Sequence, residues 1–363
     1  MKSPSIGTIY LARHADGIAA FQRFADSYRR HPAGIEHELI VIYKGFEQQS
    51  QSQEARTVFH DLPHLGIELE DIGFDIGTYL ETSRRVPHDY LCFLNTHTKI
   101  VAPGWLAHLF QYASQSGIGI AGVTGSYESL RQSWELIQMF YWLYYMERFP
   151  YENNVARYYV KFTEYLPAGP NSPVPFATAR SGVTGLIARM VLAVRYRLAV
   201  RRFQPHWRAL LMAGKMFAAL APIPAFPNPH IRSNGFMLRR DRLTPFQNAQ
   251  IATKDDACLF ESGPDSLTAQ LRRGGLSAIV VGRDGKGYDV PDWWRSRTFR
   301  LGDQANLLLT DNHSRAFFTM SAEDRATHAR MTWGEYLGPA PADCPTLGIR
   351  FRQRSLSPSS GRH

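Results

Sequence analysis

Four short stretches carry residues whose types and spacing suit chemistry at the end of a strand or helix. Asn95 and His97 stand two apart just after the apolar run Tyr90 to Leu94. An amide oxygen and an imidazole so placed suit three roles: ligands to a divalent cation, hydrogen-bond partners of a diphosphate with His97 protonated, or caps of the next turn. Neither brings negative charge, so Mg2+ would be held less firmly than by two carboxylates, while an imidazole is acceptable to Mn2+. Asp255 and Asp256 form the second stretch. Adjacent carboxyl groups can raise each other's pKa toward a value useful for accepting a hydroxyl proton, and the same pair at a helix start also serves the helix dipole. Asp75, between Gly73 and Gly77, is third: the glycines permit close backbone approach, and Asp is also a favoured helix N-cap. Arg232, Arg239 and Arg240 offer guanidinium forks to phosphate oxygens. The run Val281-Gly282-Arg283-Asp284-Gly285-Lys286-Gly287 is turn-rich but lacks the spacing of a phosphate-binding P-loop.

The elements that must position these residues alternate. Strands are expected at Ile6 to Ala12, Glu38 to Tyr43, Gly66 to Ile72 as a short edge, Tyr90 to Leu94 and Ile118 to Val123. Between them helices are expected at Gly17 to Arg30, from Ala55 to His60, at Ile76 to Val86 with Asp75 setting the N-terminus, and at Trp105 to Ser114. The sheet resumes at Ser233 to Leu238, followed by a helix at Asp265 to Arg273 and a last strand at Leu276 to Val281. Apolar strand runs alternating with helices indicate βαβ units and a doubly wound, mostly parallel sheet. Open sheets of this class bind ligands at the carboxyl ends of their strands, which is where Asn95 and His97 fall.

Composition sets the outer bounds. With 363 residues, 44% hydrophobic and 20% charged, the chain can bury a large core with an appended subdomain, and a disordered chain is excluded. Cys92, Cys258 and Cys344 are far apart and odd in number, which fits free thiols and offers neither zinc spacing nor a disulfide framework. Met1 to Gly7 holds no sustained apolar stretch, so a secretory signal is not expected and the location read is cytoplasmic, at or near the inner face of the membrane. Between Tyr165 and Arg240 there are eleven Lys or Arg and no Asp or Glu, more positive charge than the +9 of the whole chain. Such a block suits an anionic partner, either phospholipid or a lipid-phosphate acceptor, and otherwise serves as a solvated helix face. Phosphate backbones would also attract it, but no RNA- or DNA-binding motif is present and nucleic acid is not expected.

Leu136 to Met146 is aromatic and too short to span a bilayer, which takes about 20 apolar residues. Pro167 to Pro175 reads as a loop or lid. Gly185 to Leu220 interleaves Leu, Trp and Arg; it reads as an interfacial helix giving peripheral membrane contact, or as a helical hairpin packed on the core. The expected organisation is 1–135 as the first α/β half, 136–225 as an aromatic and Arg-rich helical insertion, 226–350 as the second half, and 351–363 as a disordered tail.

Two stretches bring a family into view. Asp71-Ile72-Gly73-Phe74-Asp75-Ile76-Gly77-Thr78-Tyr79, a helix, and then Tyr90-Leu91-Cys92-Phe93-Leu94-Asn95-Thr96-His97-Thr98 resemble the family 2 glycosyltransferases and the related rhamnan-synthesis F-type proteins. The resemblance covers residues 5 to 125, with weaker agreement over 229 to 285. It implies a GT-A (Rossmann-like) fold and transfer of a sugar from a nucleoside-diphosphate sugar to a saccharide or lipid-linked acceptor in cell-surface polysaccharide assembly, with inversion. It also implies that the turn after Leu94 is an altered DxD motif, with Asn95 at the first place and His97 at the third, as ligands to Mn2+ or Mg2+. Arg13, Asp75, Gly77 and Asn95 would then hold the nucleotide. Asp256, with Asp255 as second choice, would be the base that deprotonates the acceptor. The altered motif also admits an inactive nucleotide- or glycan-binding protein on the same fold.

Overall fold

A strand covered on both faces reads as an unbroken apolar run, and the strands here are of that kind. The protein, seen in a computed structural model, is described over residues 3–133 and 220–337. The readings made for Leu136 to Met146, Pro167 to Pro175, 185–219 and the 351–363 tail lie outside the described residues. Two compact units divide the chain: Met1–Tyr127 with Asn228–Thr319, and Glu128–Pro227 with Met320–His363.

The first unit is built on β1 (Ile6–Arg13), β2 (Glu38–Lys44), β3 (His64–Leu69) and β4 (Tyr90–Leu94), which pair in parallel in the order β3-β2-β1-β4. Beyond β4 the eight-stranded sheet continues through β9 (Phe236–Arg239), β6 (Ile118–Gly122), β10 (Ser277–Val281) and β11 (Gly287–Tyr288). Of these, β6 and β10 are parallel to each other, while β9 lies antiparallel to both β4 and β6. Short pairs form outside the main sheet, β5 (Lys99–Ile100) with β12 (Leu309–Thr310) and β7 (Gly125–Ser126) with β8 (His230–Ile231). The expected α/β class with a mostly parallel sheet flanked by helices is therefore the observed one.

Side chains alternate across the pleat. Ile6, Tyr10 and Ala12 of β1, Leu39, Val41 and Tyr43 of β2, and Cys92 and Leu94 of β4 share one core with Phe21 and Phe24 of α1 (Ile18–Arg30), Ala55 of α2 (Gln49–Val58) and Trp105 of α4 (Trp105–Ala113). Tyr10 stacks on Phe24 at 3.6 Å between ring centres. The alternate residues Ile9, Ile40, Leu91 and Phe93 are equally buried on the opposite face. There Tyr79 of α3 (Phe74–Arg85) meets Phe93 at 4.8 Å, and α3 packs on α5 (Lys254–Ser262). After α5 come α6 (Leu267–Arg273) and, past β12, α7 (Asn312–Thr319).

Some element ends differ from expectation. The second helix begins at Gln49, six residues before Ala55: Gln is a good helix former, and the polar stretch needs only Ala55 and Val58 to reach the core. Gly73, left-handed at φ 78°, and not Asp75, is the cap of α3, while Asp75 sits inside the first turn. The edge strand runs His64–Leu69 instead of Gly66 to Ile72. Ser266 caps α6, so that helix begins after Asp265, at Leu267.

In the second unit the described parts are Glu128 to Ser133, Leu220 to Pro227 and the residues from Met320 to Leu337, including α8 (Ala322–Trp333). The Ser129 hydroxyl donates to the Pro224 carbonyl at 2.7 Å, and the Phe226 amide donates to Gln132 Oε1 at 2.8 Å. No helix among the described residues is long and apolar enough to cross a membrane.

The junction of β4 and β9 turns on Gly235, whose amide donates to the Phe93 carbonyl at 2.9 Å and whose own carbonyl accepts from the Val123 amide at 2.8 Å. Its φ is 72°, and an added Cβ would fall against Leu309 and within 2.5 Å of Val123. Gly235→Ala combines left-handed strain with overpacking and is expected to destabilise the protein by about 2–4 kcal/mol, read as a lowered urea midpoint at unchanged m-value.

Candidate functional site at the carboxyl edge of the sheet

The turn leaving β4 is tied down on every side. Asn234, immediately before Gly235, uses one side-chain oxygen to accept from the Asn95 amide at 3.0 Å and from the Thr98 hydroxyl at 2.7 Å. Asn95 Oδ1 in turn accepts from the His97 amide at 3.0 Å, closing the turn on itself. The Tyr10 hydroxyl donates to the Thr96 carbonyl at 3.0 Å, and Arg315 Nη1 donates to the His97 carbonyl at 2.8 Å. Of the three roles open to Asn95, this geometry displays the turn cap. The His97 ring stays a third exposed, with Nε2 3.7 Å from Asp16 Oδ1 in the short turn after β1.

These donors do not fit a protein-held divalent cation. His97 and Asp16 supply one nitrogen and one carboxylate, the Asn95 oxygen is spent on the turn, and among the described residues no group of three or more His, Cys, Asp or Glu converges. Mg2+ demands a near-octahedral oxygen shell and Mn2+ favours several oxygen ligands, and one carboxylate beside one imidazole falls short of either.

Arg13, at the end of β1, is committed to Asp71 through a two-pronged bridge of 2.8 and 2.7 Å. That pairing pulls the Asp71 carboxyl below its usual range. Lys44, at the end of β2, is wholly buried; its ammonium donates to the Phe74 carbonyl and lies 3.7 Å from Asp71. Burial lowers its pKa, and the Asp71 charge opposes that fall. Gly77 faces its own chain: an added Cβ would lie 3.4 Å from the Ile251 carbonyl, so the backbone drawn close at Gly73 and Gly77 is that of residue 251.

Asp75 is half-buried, and its Oδ1 accepts from the Ile76 amide at 3.0 Å. Burial and the Glu261 charge raise its pKa, while bonds from the Ser233 side chain and the Ile76 amide act against the rise. Glu261, in the last turn of α5, accepts the Ser233 amide at 3.1 Å. The two carboxyl groups thus share one residue of the loop that leads into β9. Beside them Arg232 bridges the buried Asp311 at 2.9 Å and lies over the Phe299 ring at 4.1 Å. Burial pushes the Asp311 carboxyl up, but Arg232 and the Ser314 amide outweigh it, and the net pKa falls far below the carboxylate range.

Asp255 and Asp256 open α5. Asp256 closes a capping box with Thr253, its Oδ2 accepting from the Thr253 amide at 2.7 Å, the Thr253 hydroxyl at 2.8 Å and the Ala252 amide at 3.1 Å. The Thr253 bonds hold its pKa down, opposite to the rise expected from an adjacent acid. Sequence reasoning gave no role to Asp16, Lys44, Asn234, Glu261, Asp311 or Arg315. For Glu261 a signal was present, since it ends the same short helix that the Asp pair begins; for Asp311 and Arg315 there was none, because both lie beyond the last expected strand.

These features define an α/β protein with a polar cluster gathered at the carboxyl edge of a mostly parallel sheet. No protein-family profile and no curated protein matches the sequence. Among solved structures the chain is similar to the mannosyltransferase PcManGT from Pyrobaculum calidifontis, in complex with GDP-Man and Mn2+, with 12% identity and a TM-score of 0.27 over 34% of this chain and 36% of that one.

Two stability outcomes follow from the geometry. Asp256→Ala removes the half of the capping box made by the Asp256 carboxylate, leaving the Asp256 amide donating to the Thr253 hydroxyl, and is expected to cost about 1 kcal/mol by urea titration. Asp311→Asn leaves Arg232 buried without its counter-charge and is expected to cost about 3–5 kcal/mol at neutral pH. Because the folded pKa of Asp311 is depressed, its contribution is full above the ordinary carboxylate pKa and drains away as pH falls below it. The gap between wild type and Asp311→Asn should therefore narrow on titration below about pH 4.

Proposed function

We propose that this chain is a GT-A-type glycosyltransferase that moves a hexosyl or deoxyhexosyl group from a nucleoside-diphosphate sugar to a saccharide or lipid-linked acceptor, with inversion. The observation that carries the reading is the β4 turn. The stretch that resembles the family's motif leaves a parallel strand at the sheet's carboxyl edge, and Asp75 and Glu261, on the ends of two helices, gather with the Arg232–Asp311 pair around the loop that enters β9 at that same edge.

In this reaction the acceptor oxygen attacks the anomeric carbon, a carboxylate takes the hydroxyl proton, and the nucleoside diphosphate leaves with the electron pair of the broken bond. Charge on the leaving group needs cations. Arg315 beside the His97 turn is one; Arg23 of α1, close enough to depress the Arg315 pKa after burial has done so, is a second. Like charges this close repel, and an anion beside them would relieve that repulsion. His97 is positioned to join them when protonated. The basic segment within 185–220 would bring the protein to a membrane-borne acceptor, in keeping with cell-surface polysaccharide assembly.

A second reading rests on the missing carboxylates at Asn95 and His97: a nucleotide- or glycan-binding protein of the same fold without turnover. Incubation with UDP-, GDP- and dTDP-sugars, with and without Mn2+, separates the two when released nucleoside diphosphate and the thermal midpoint are both followed. Turnover of at least one donor is expected, with stabilisation of about 2.7 kcal/mol at a donor concentration 100 times Kd. Stabilisation without release would move the assignment to the second reading, and the absence of both would end the nucleotide-sugar reading.

A further inference from the structure

We propose that Glu261, paired with Asp75 across Ser233, is the group that takes the proton from the acceptor hydroxyl, in place of the Asp255–Asp256 pair. This rests on the transferase reading and names its proton acceptor.

Three separate elements converge to make the pair. Glu261 comes from the end of α5, Asp75 from the first turn of α3, and Ser233 from the loop that enters β9. Glu261 Oε2 accepts the Ser233 amide at 3.1 Å, while the Ser233 side chain bonds the Asp75 carboxyl, so one residue fixes both acids. The capping box has no part in this arrangement: Asp256 Oδ2 already accepts three bonds at the opposite end of α5, which leaves it poorly placed to receive another proton.

An independent feature points to a ligand. Tyr79 is 2% exposed, and its hydroxyl has no hydrogen-bond partner among the described residues. It lies four residues after Asp75, on the same face of α3. Asp75 and Glu261 are among the charges that act on the phenol, and the ring lines a small apolar cavity with Ile76, Phe93, Phe236 and Phe260. A buried hydroxyl without a partner costs about 1–3 kcal/mol, a cost relieved if something polar arrives at the acid pair.

The division of labour follows from the surroundings. The Asp75 carboxyl already accepts from the Ile76 amide as well as from the Ser233 side chain, whereas Glu261 is held through Oε2 by the Ser233 amide and its Oε1 accepts from no described residue, which leaves that oxygen to receive a proton. The other ionisable groups facing Glu261 are Cys258 on its own helix, Tyr79 and Asp75 on α3, and His313 on α7, the last of which also feels Arg232, Asp311 and Arg300. In the step itself the acceptor O–H bond breaks with its proton passing to the Glu261 carboxylate, the new O–C1 bond forms, and the C1–O bond to the diphosphate breaks with its electrons leaving on the nucleotide.

The test uses the full-length protein and whichever UDP-, GDP- or dTDP-sugar wild type turns over. Glu261→Gln should lower kcat by about 100-fold or more while the Kd for the corresponding nucleoside diphosphate changes less than about threefold, and Glu261→Asp should restore part of the loss. A packing role alone would lower the thermal midpoint and raise KM without this split. If Glu261→Gln does not fold, Glu261→Asp decides the matter: withdrawing the carboxylate by one methylene should lower kcat at least about tenfold while the same Kd stays within about threefold. Wild-type rates in Glu261→Gln, or a wild-type kcat in Glu261→Asp, would overturn the assignment and leave the transferase reading standing. Failure of wild type on every donor would remove both.

Discussion

A single side-chain oxygen holds the candidate site to the sheet. Asn234 Oδ1 accepts from the backbone of Asn95 and from the hydroxyl of Thr98, so the turn that leaves a parallel strand is fastened to the loop that enters an antiparallel one. A buried amide oxygen has two lone pairs, and both are used here. The arrangement requires Gly235 beside it, since only a residue free to take a left-handed conformation lets the chain swing from Asn234 into β9 between Val123 and Leu309. Through this junction the position of His97 depends on residues some 140 places further along the sequence. The β4 turn cannot shift without unpairing β9, which is why its polar groups are preorganised and not merely adjacent.

The parallel half of the fold was legible because its strands are buried twice over. Both faces of β1, β2 and β4 are buried, so the runs are apolar almost without interruption and stand out from the amphipathic helices between them. Where burial is one-sided, legibility fell. The strand His64–Leu69 at the sheet's edge buries none of its residues fully and exposes half of them, and its bounds slipped by two or three places. The helix from Gln49 draws its first turns from polar residues and carries no apolar period there to announce it. The orientation of β9 was hidden for another reason: a four-residue strand carries no sign of its direction, which only the pairing partners reveal.

Among candidate site residues, those legible were the ones that local sequence places, and those missed were placed by the fold. Asp75 and the Asn95 to His97 turn follow directly from strand and helix ends. Glu261 acquires meaning only when α5 packs against α3 and brings it to Ser233 and Asp75. Asp256 shows the converse, a carboxylate whose sequence context is that of a proton acceptor and also that of a helix cap; the local bonds to Thr253 are what the structure displays. A cap is fixed by its nearest neighbours, whereas a proton acceptor needs a half-buried pocket built from distant ones.

Charge at the same edge obeys a related division. Arg13 and Lys44 are both committed to the loop between β3 and α3, one locked to Asp71 at the surface and the other wholly buried with its ammonium on the Phe74 carbonyl, and together they clamp it. That clamp supports an unusual backbone, for Gly73 and Phe74 are both left-handed, at φ 78° and 52°. A left-handed aromatic residue costs on the order of 1–3 kcal/mol and persists only where its surroundings over-determine it. Here the buried ammonium supplies the constraint: relaxing Phe74 would withdraw its carbonyl from Lys44 and leave a desolvated positive charge with Asp71 alone, 3.7 Å away. The strain is therefore held by a larger electrostatic penalty. Its structural result is that Ile72 and Phe74 stand exposed at the carboxyl edge on a loop that cannot fold them away.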